Sequence, residues 1–525
     1  MFNIKSRSFL LLIALLVIIG AVVHLLPLSS QERMINSISD DGYLMMTIAR
    51  NMTLGMGMSI AEGTIPTNGT QPLTTALWAV GFWLVDGDKI QGLIWVIIMQ
   101  FVIATLAAVL LWQGSKRLLQ QRPHAGIIAA LTAAVWYASP ILVGHTMNGL
   151  ETGFYTLCII GVAMLFSLSV NTWTMRRSVG IGLLLGVTFW VRNDAALFIF
   201  AACITHLLLG SFDSNAIKQR FWQVLVMGAT SVVVALPWLI NNYLNFGSIM
   251  PISGQSQSLV AEFADNLPGI PALLVEYLFA ILPIPQALDR QIWVKVICAV
   301  IMLAVLGLLI RRGSHFQTRE RRLVMLISIY TVCLVGFYGL FFGAANFLPR
   351  YLFPTTPFFV LLWAIVVVLL WQRLRLLSQW LQRVLPVIAV LFIGVVIGLH
   401  VRAFLITHQT GGYHQYLGGY SRHFQLADWV TENVPTDVWV GSWQSGTVGY
   451  FHDRTINLDG KTNPEALEAR KKHQIAKYMV TKEIQYFVDW ADFAIWMEMP
   501  VLKTHFELIV EDKRQNLVVL RRKGV

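Results

Sequence analysis

The chain has 525 residues, 56% of them hydrophobic and only 13% charged, with a mean hydropathy of +0.62; a soluble protein of ordinary composition carries about 25% charged residues. A soluble globular protein is therefore excluded, and a polytopic membrane protein is implied. The net charge of +11 would suggest a nucleic-acid partner in a soluble chain, but most Lys and Arg stand in short clusters between apolar runs, where they set topology, so nucleic acid is excluded too.

A membrane-spanning helix needs roughly 20 apolar residues, and cytoplasmic loops concentrate Lys and Arg. Residues 8–28, preceded by Lys5 and Arg7, read as an uncleaved signal anchor with a cytoplasmic N-terminus. The first outer loop, 29–89, then carries an adjacent acid pair, Asp40 and Asp41, ahead of a helix expected from Tyr43 to Asn51 and a Gly-rich polar stretch. Within that loop Pro72 to Val85 is apolar but too short to span, and is expected as an interfacial or re-entrant helix. Spans follow at 90–112, 125–143 and 152–170.

Residues 178–209 form one apolar run split by Arg192, Asn193 and Asp194 into halves of about 15 residues, each shorter than a full span. Both flanks are basic (Arg176 and Arg177, then Lys218 and Arg220), so the run goes in and comes back, with Arg192 at a turn near the outer side facing a cavity. Further spans are expected at 222–240, 292–310, 323–342, 352–371 and 384–405, with a long outer loop at 241–291 that holds a short apolar stretch from Ile270 to Ile284. The count is about eleven spans.

Beyond about residue 405 the composition becomes that of a soluble domain. Helices are expected at 425–433 and 464–479, strands at 438–441 and 455–458, and a hairpin at 506–510 and 517–520. About 120 residues suffice for a small core. The expected organisation is thus a transmembrane catalytic domain, 1–405, and an extracytoplasmic α/β domain, 406–525. Cys158, Cys203, Cys298 and Cys333 lie in apolar runs with no CxxC or Cys/His cluster, which supports neither a disulfide framework nor a zinc site.

A carboxylate at the lip of a bilayer opposes insertion and is useful for chemistry. Ser39, Asp40 or Asp41 could instead simply cap the following helix, a role worth about 1 kcal/mol; the acid pair, the outer loop and the Arg residues returning to the same side together favour chemistry. His24 and His145, near outer helix ends, read as packed residues. Asn51 and Asn68 begin glycosylation sequons, a pattern frequent by chance.

The stretch DDGYLMMTIARNMTLGMG (40–57) followed by PTNGTQPL (66–73) resembles the first outer loop of GT-C glycosyltransferases that use polyprenyl-phosphate sugars, especially the branch of the mycobacterial terminal arabinofuranosyltransferases. NGLET (148–152), the split run with VRND at its turn, PRYLFP (349–354) and GTVGYFHDRTINLDGKTNP (446–464) are similar to later landmarks of that family, in the same order. Four features depart from its pattern: Gly42 stands for Ala, Met56 for His, Gly69 to Gln71 are inserted before Pro72, and VRND replaces a Thr-Arg-Pro-Glu-like turn.

The resemblance implies a GT-C fold in a bacterial cytoplasmic membrane, with the active site on the outer face. It implies a polyprenyl-phosphate monosaccharide donor, arabinofuranose foremost, and a cell-envelope glycan, lipid or pilus-type protein as acceptor, among membrane lipids. An acceptor hydroxyl needs a base, which Asp40 or Asp41 would supply. The lipid phosphate that departs needs its charge stabilised, which falls to Arg192 and Arg350. Glu151 would bind sugar hydroxyls or pair with an Arg; Tyr43 and Asn68 are weaker substrate-binding candidates, and Asp459 either ends a strand or faces the acceptor. No cofactor is required, though a divalent metal ion on Asp40 and Asp41 is left open. The competing readings are a carrier that flips the lipid-linked sugar, disfavoured because only one split run is present, and a transferase of the same fold that moves a non-sugar group.

Overall fold

The computed structural model of the protein describes residues 6–169, 173–279, 291–312, 316–342, 348–374 and 423–524, with scattered positions between 379 and 402. Among the described residues, four helices are long and apolar enough to cross a membrane: Leu10–Ser29, Lys89–Leu118, Ser214–Phe246 and Thr318–Leu340. The Lys89–Leu118 helix starts where Asp88 accepts the Gln91 N–H and runs for 30 residues, about 45 Å. Its length exceeds a hydrocarbon core of about 30 Å, and Lys116 and Arg117 stand in its last turn. Ser214–Phe246 is likewise longer than expected at 33 residues; it is capped by Asp213 and ends at Gly247 in the left-handed conformation.

The Pro72–Trp83 helix has only 12 residues, about 18 Å, and does not span; Trp83 at its end is 68% exposed. The expected span at 125–143 is instead two helices, Ala125–Ala138 and Pro140–Thr146. Proline has no N–H and pushes the residue before it out of the helical region, and Ser139 is accordingly extended. The expected split at 192–194 is present: Met175–Val191 ends at Arg192 in an extended conformation, and Ala195–Leu208 starts anew. Thr356–Leu374 matches the span expected at 352–371, and Ile292–Arg312 the one at 292–310. Most of the expected span at 384–405, and the boundary at 405, lie outside the described residues. A core of Trp136, Tyr155, Phe166, Phe198, Tyr330 and Phe353 joins these helices.

Within residues 29–89 a short hairpin pairs β1 (Ser59–Ile60) with β2 (Ile65–Pro66). The C-terminal domain is built on a five-stranded sheet, from β3 (Val440–Ser442), β4 (Thr455–Asn457), β5 (Tyr486–Asp489), β6 (Phe506–Asp512) and β7 (Leu517–Arg522), in the order β4-β3-β5-β7-β6. β3 runs parallel to β4 and β5, pairing Val440 with both Thr455 and Tyr486. β7 is antiparallel to β5 and β6, with Leu520 opposite both Phe487 and Leu508. Helix Phe424–Asn433 covers one face through Leu426 and Val430. The helix expected at 464–479 is two, Pro464–Lys471 and Ile475–Thr481, broken where His473 takes φ 54°.

One part of this domain's core is its own, and another is shared with the membrane part. Ile48, Ile60, Ala61 and Ile65 from the 29–89 segment pack with Ile456, Met479, Phe487 and Leu502, and Tyr450 packs with Tyr43, Phe82 and Val96. The site described next lies along this shared seam.

Candidate active site

The acid pair opens the Asp40–Thr53 helix, but neither acid caps it. Ser39 does: its hydroxyl oxygen accepts the Gly42 N–H at 3.1 Å while its O–H donates to the Asn148 carbonyl at 3.0 Å. Both carboxylates are thereby left for other partners, and they go to different places.

Asp40 turns to the C-terminal domain. Its carboxylate accepts the N–H groups of Gly446 (3.2 Å) and Thr447 (2.7 Å) and the Thr447 hydroxyl (2.9 Å), with His423 Nδ1 at 3.6 Å. The approach is so close that a Cβ on Gly446 would collide with the Asp40 carbonyl.

Asp41 instead lines a cavity of about 750 Å³. Arg350 Nη1 donates to it at 3.0 Å and Lys461 Nζ lies 3.6 Å away. Burial favours its neutral form, but Lys461 and Arg350 outweigh that and hold its pKa below the ordinary carboxylate value.

Glu151, Arg192, Asp194, Arg350 and Lys461 line the same cavity. Arg192 is 2% exposed. Its guanidinium lies between the rings of Tyr155 (5.0 Å) and Tyr351 (4.6 Å), 2.8 Å from Asp194 and 3.7 Å from Glu151, and its Nη1 donates to the Arg350 carbonyl at 3.4 Å. Tyr338 stacks on Tyr351 with centroids 4.0 Å apart and donates to Asp194 at 2.7 Å. Away from this polar end the wall is apolar: Phe189, Leu197, Leu239, Phe337, Phe341 and Phe342. A cavity with a charged head and an apolar body suits a ligand with an anionic group on a hydrocarbon chain.

Of the expected site residues, the structure thus brings together Asp41, Glu151, Arg192 and Arg350. Arg350 is paired inside the site with Asp41. Asp459 stands behind it, 3.3 Å from Lys461 Nζ and accepting the Lys461 N–H at 2.8 Å.

Tyr43 and Asn68, expected near substrate, are structural. Tyr43 is fully buried, donates to the Ile35 carbonyl at 2.7 Å and packs against Tyr450, because the helix turns its face into the seam. Asn68 is fully buried and clamps its loop by donating to Asn242 (3.0 Å) and accepting the Ile252 N–H (3.1 Å). With Asn51 buried as well, neither sequon is accessible in the folded chain. His24 and His145 are packed as expected, His24 stacked on Tyr137 and His145 bonded to the Tyr277 hydroxyl.

Sequence reasoning missed Lys461 and the role of Asp194, although both stand inside quoted motifs. The acid pair does not fit a divalent metal, because its two carboxylates diverge to separate partners, and no group of three or more His, Cys, Asp or Glu among the described residues has a metal-binding arrangement.

A family model described as a domain of unknown function (DUF8728) matches residues 411–520, which is the C-terminal domain. No curated protein sequence matches the chain. Among solved structures the chain is similar to ArnT from Cupriavidus metallidurans bound to undecaprenyl phosphate, with a TM-score of 0.59 and 13% identity over 97% of each chain. For the same protein in the apo state the TM-score is 0.56, at 13% identity over 98% of each chain. It is also similar to the archaeal oligosaccharyltransferase AglB from Archaeoglobus fulgidus in complex with an inhibitory peptide and a dolichol-phosphate, at a TM-score of 0.54 and 12% identity over 96% of this chain and 73% of that one. At these identities the likeness establishes the fold. The protein is a helical integral membrane protein with the GT-C fold and a C-terminal α/β domain.

Proposed function

We propose that this protein is a membrane glycosyltransferase that transfers a monosaccharide, arabinofuranose foremost, from a polyprenyl-phosphate donor to a cell-envelope glycan, lipid or pilus-type protein. It works at the outer face of a bacterial cytoplasmic membrane, with the C-terminal domain on that side. The observation that carries the reading is that Asp41, Arg350 and Arg192 share one cavity whose wall is predominantly apolar away from its charged end. The undecaprenyl phosphate and dolichol-phosphate of the similar structures support the class of donor, and the motifs of the first outer loop support the sugar.

In this reading Asp41 is the base. The acceptor oxygen attacks the anomeric carbon as its proton passes to the Asp41 carboxylate; the bond from that carbon to the phosphate oxygen breaks, and the electron pair leaves with the polyprenyl phosphate. Arg350 and Arg192 stabilise the departing phosphate. Glu151 and Asp194 keep the Arg192 guanidinium fixed, since a buried cation without a partner would be costly. A single displacement inverts the anomeric centre, which the configuration of the product tests.

The deciding experiment uses purified full-length protein in proteoliposomes with radiolabelled polyprenyl-phosphate sugar and candidate acceptors. Transfer by the wild type that is lost in Asp41→Asn and in Arg350→Gln supports the reading. Flux of the lipid across vesicles without transfer would replace it by the carrier.

A further inference from the structure

Lys461 lies in the turn after β4, in the C-terminal domain, yet it lines the cavity beside Arg192 and Arg350. Its ammonium is 3.6 Å from Asp41 Oδ1 and 3.3 Å from Asp459 Oδ2. Burial opposes the charge, but the carboxylates of Asp41 and Asp459 outweigh it and keep the group protonated.

The first outer loop seats the lysine. Gly69 approaches the Lys461 carbonyl so closely that any Cβ there would collide with it, and Gly69 belongs to the Gly69–Gln71 insertion that separates this chain from the family pattern. The insertion and the lysine are thus two sides of one contact.

Charge balance gives Lys461 its role. Three cations (Arg192, Arg350, Lys461) and three carboxylates (Asp41, Glu151, Asp194) line the cavity. A phosphate that enters can gain a cation only by drawing it from a carboxylate. Arg192 is wedged between two tyrosine rings and held 2.8 Å from Asp194. Lys461 sits at longer range from its two carboxylates, on a four-carbon stem whose point charge reorients at less cost than a planar guanidinium fork.

We propose that Lys461 is a donor-phosphate ligand supplied by the C-terminal domain, and that the phosphate takes it from Asp41, releasing the base when the donor is bound. The inference rests on the glycosyltransferase reading above. It makes acceptor deprotonation conditional on a loaded donor site, because the carboxylate is a better proton acceptor once its cations face the phosphate.

The test uses the full-length protein in phosphatidylethanolamine–phosphatidylglycerol nanodiscs and undecaprenyl phosphate as probe, which carries the phosphate and lipid without the sugar. Lys461→Gln should weaken binding by about tenfold or more and Lys461→Arg should restore most of it. Gly69→Ala should weaken it in the same direction with every charge in place. In transfer assays Lys461→Gln should raise KM for the donor, an effect that a lysine serving only to pair with Asp41 would not cause. Absence of binding by the wild type would overturn the donor assignment itself. Wild-type binding matched by Lys461→Gln would overturn the role of Lys461 alone. Should Lys461→Gln not accumulate as folded protein, unchanged affinity in Gly69→Ala would overturn it.

Discussion

The adjacent acids should fail in different ways. Asp40 is 12% exposed at its side chain and accepts three hydrogen bonds from Gly446 and Thr447. Hydrogen bonds to a charged group contribute about 1.5–3 kcal/mol each. In Asp40→Asn the amide oxygen can keep the two bonds that Thr447 donates to Oδ1, while an NH2 faces the Gly446 N–H, so one such bond is lost, or about 1.5–3 kcal/mol of docking between the 29–89 segment and the C-terminal domain. At 1.4 kcal/mol per decade this raises the undocked population by roughly 10- to 100-fold. Hydrogen exchange at the Gly446 and Thr447 amides reads that population directly. Asp41→Asn removes the proposed base and leaves those amides covered; transfer should fall by about 10²–10⁴ while their protection stays within a few-fold of wild type. Loss of transfer in Asp40→Asn with protection intact, or normal transfer in Asp41→Asn, would refute this division of labour.

Gly446→Ala should reproduce the undocking of Asp40→Asn without touching a charge, since its Cβ meets the Asp40 carbonyl; the same exchange measurement checks it. Arg192→Met leaves Asp194 and Glu151 buried without their cation, so thermal unfolding in detergent should show a loss of about 3–5 kcal/mol, partly recovered in Arg192→Met/Asp194→Asn. The Asp41 carboxyl is held below its ordinary value by Lys461 and Arg350 against the opposing effect of burial, so transfer should show no loss from this group between pH 8 and pH 5 in a kcat/KM profile. Burial pushes the Asp489 carboxyl up to about 7, over the opposing N–H groups of Trp490, Trp443 and Gln444. Because the folded value lies above that of the unfolded chain, its contribution to stability is complete below about pH 4 and is lost as pH rises through 7, on the order of 4 kcal/mol. Asp489→Asn should flatten that part of the unfolding profile.

The split run was legible because basic clusters on both flanks force an even number of crossings, and a polar tripeptide in the middle of an apolar run has nowhere else to go; the helices end and restart around Arg192, as expected. The short Pro72–Trp83 helix was legible from length alone. Which acid faces the cavity was not. Asp40 and Asp41 are consecutive on one helix, about 100° apart around its axis, and only partners hundreds of residues away decide which one meets Arg350 and which meets Thr447. Lys461 was missed for the same reason, since a lysine in a polar turn reads as solvated until the first outer loop is laid over it. The break at His473 was hidden because the apolar spacing of Ala466, Leu467, Ala476 and Met479 carries a helical pattern across it. β5, buried on both sides at the middle of the sheet, lacks the alternation that marks a half-exposed strand.

The pairings also explain why no one segment could hold this site. A carboxylate or guanidinium taken out of water must be matched on the spot, or its desolvation outweighs what its fold contributes. Here matches cross the chain: the 29–89 segment supplies Asp41, the segment ahead of the Thr356–Leu374 helix supplies Arg350, the turn of the split pair supplies Arg192, the start of the Thr152–Leu168 helix supplies Glu151, and the turn after β4 supplies Lys461. Arg192 and Lys461 also have local partners in Asp194 and Asp459, but Glu151 with Arg192 and Asp41 with Arg350 and Lys461 are matched across the chain, so closing the seam with the C-terminal domain completes the site. It follows that variants at the seam, such as Gly446→Ala, should lower transfer and docking together and in proportion across a graded series, whereas Asp41→Asn should separate the two.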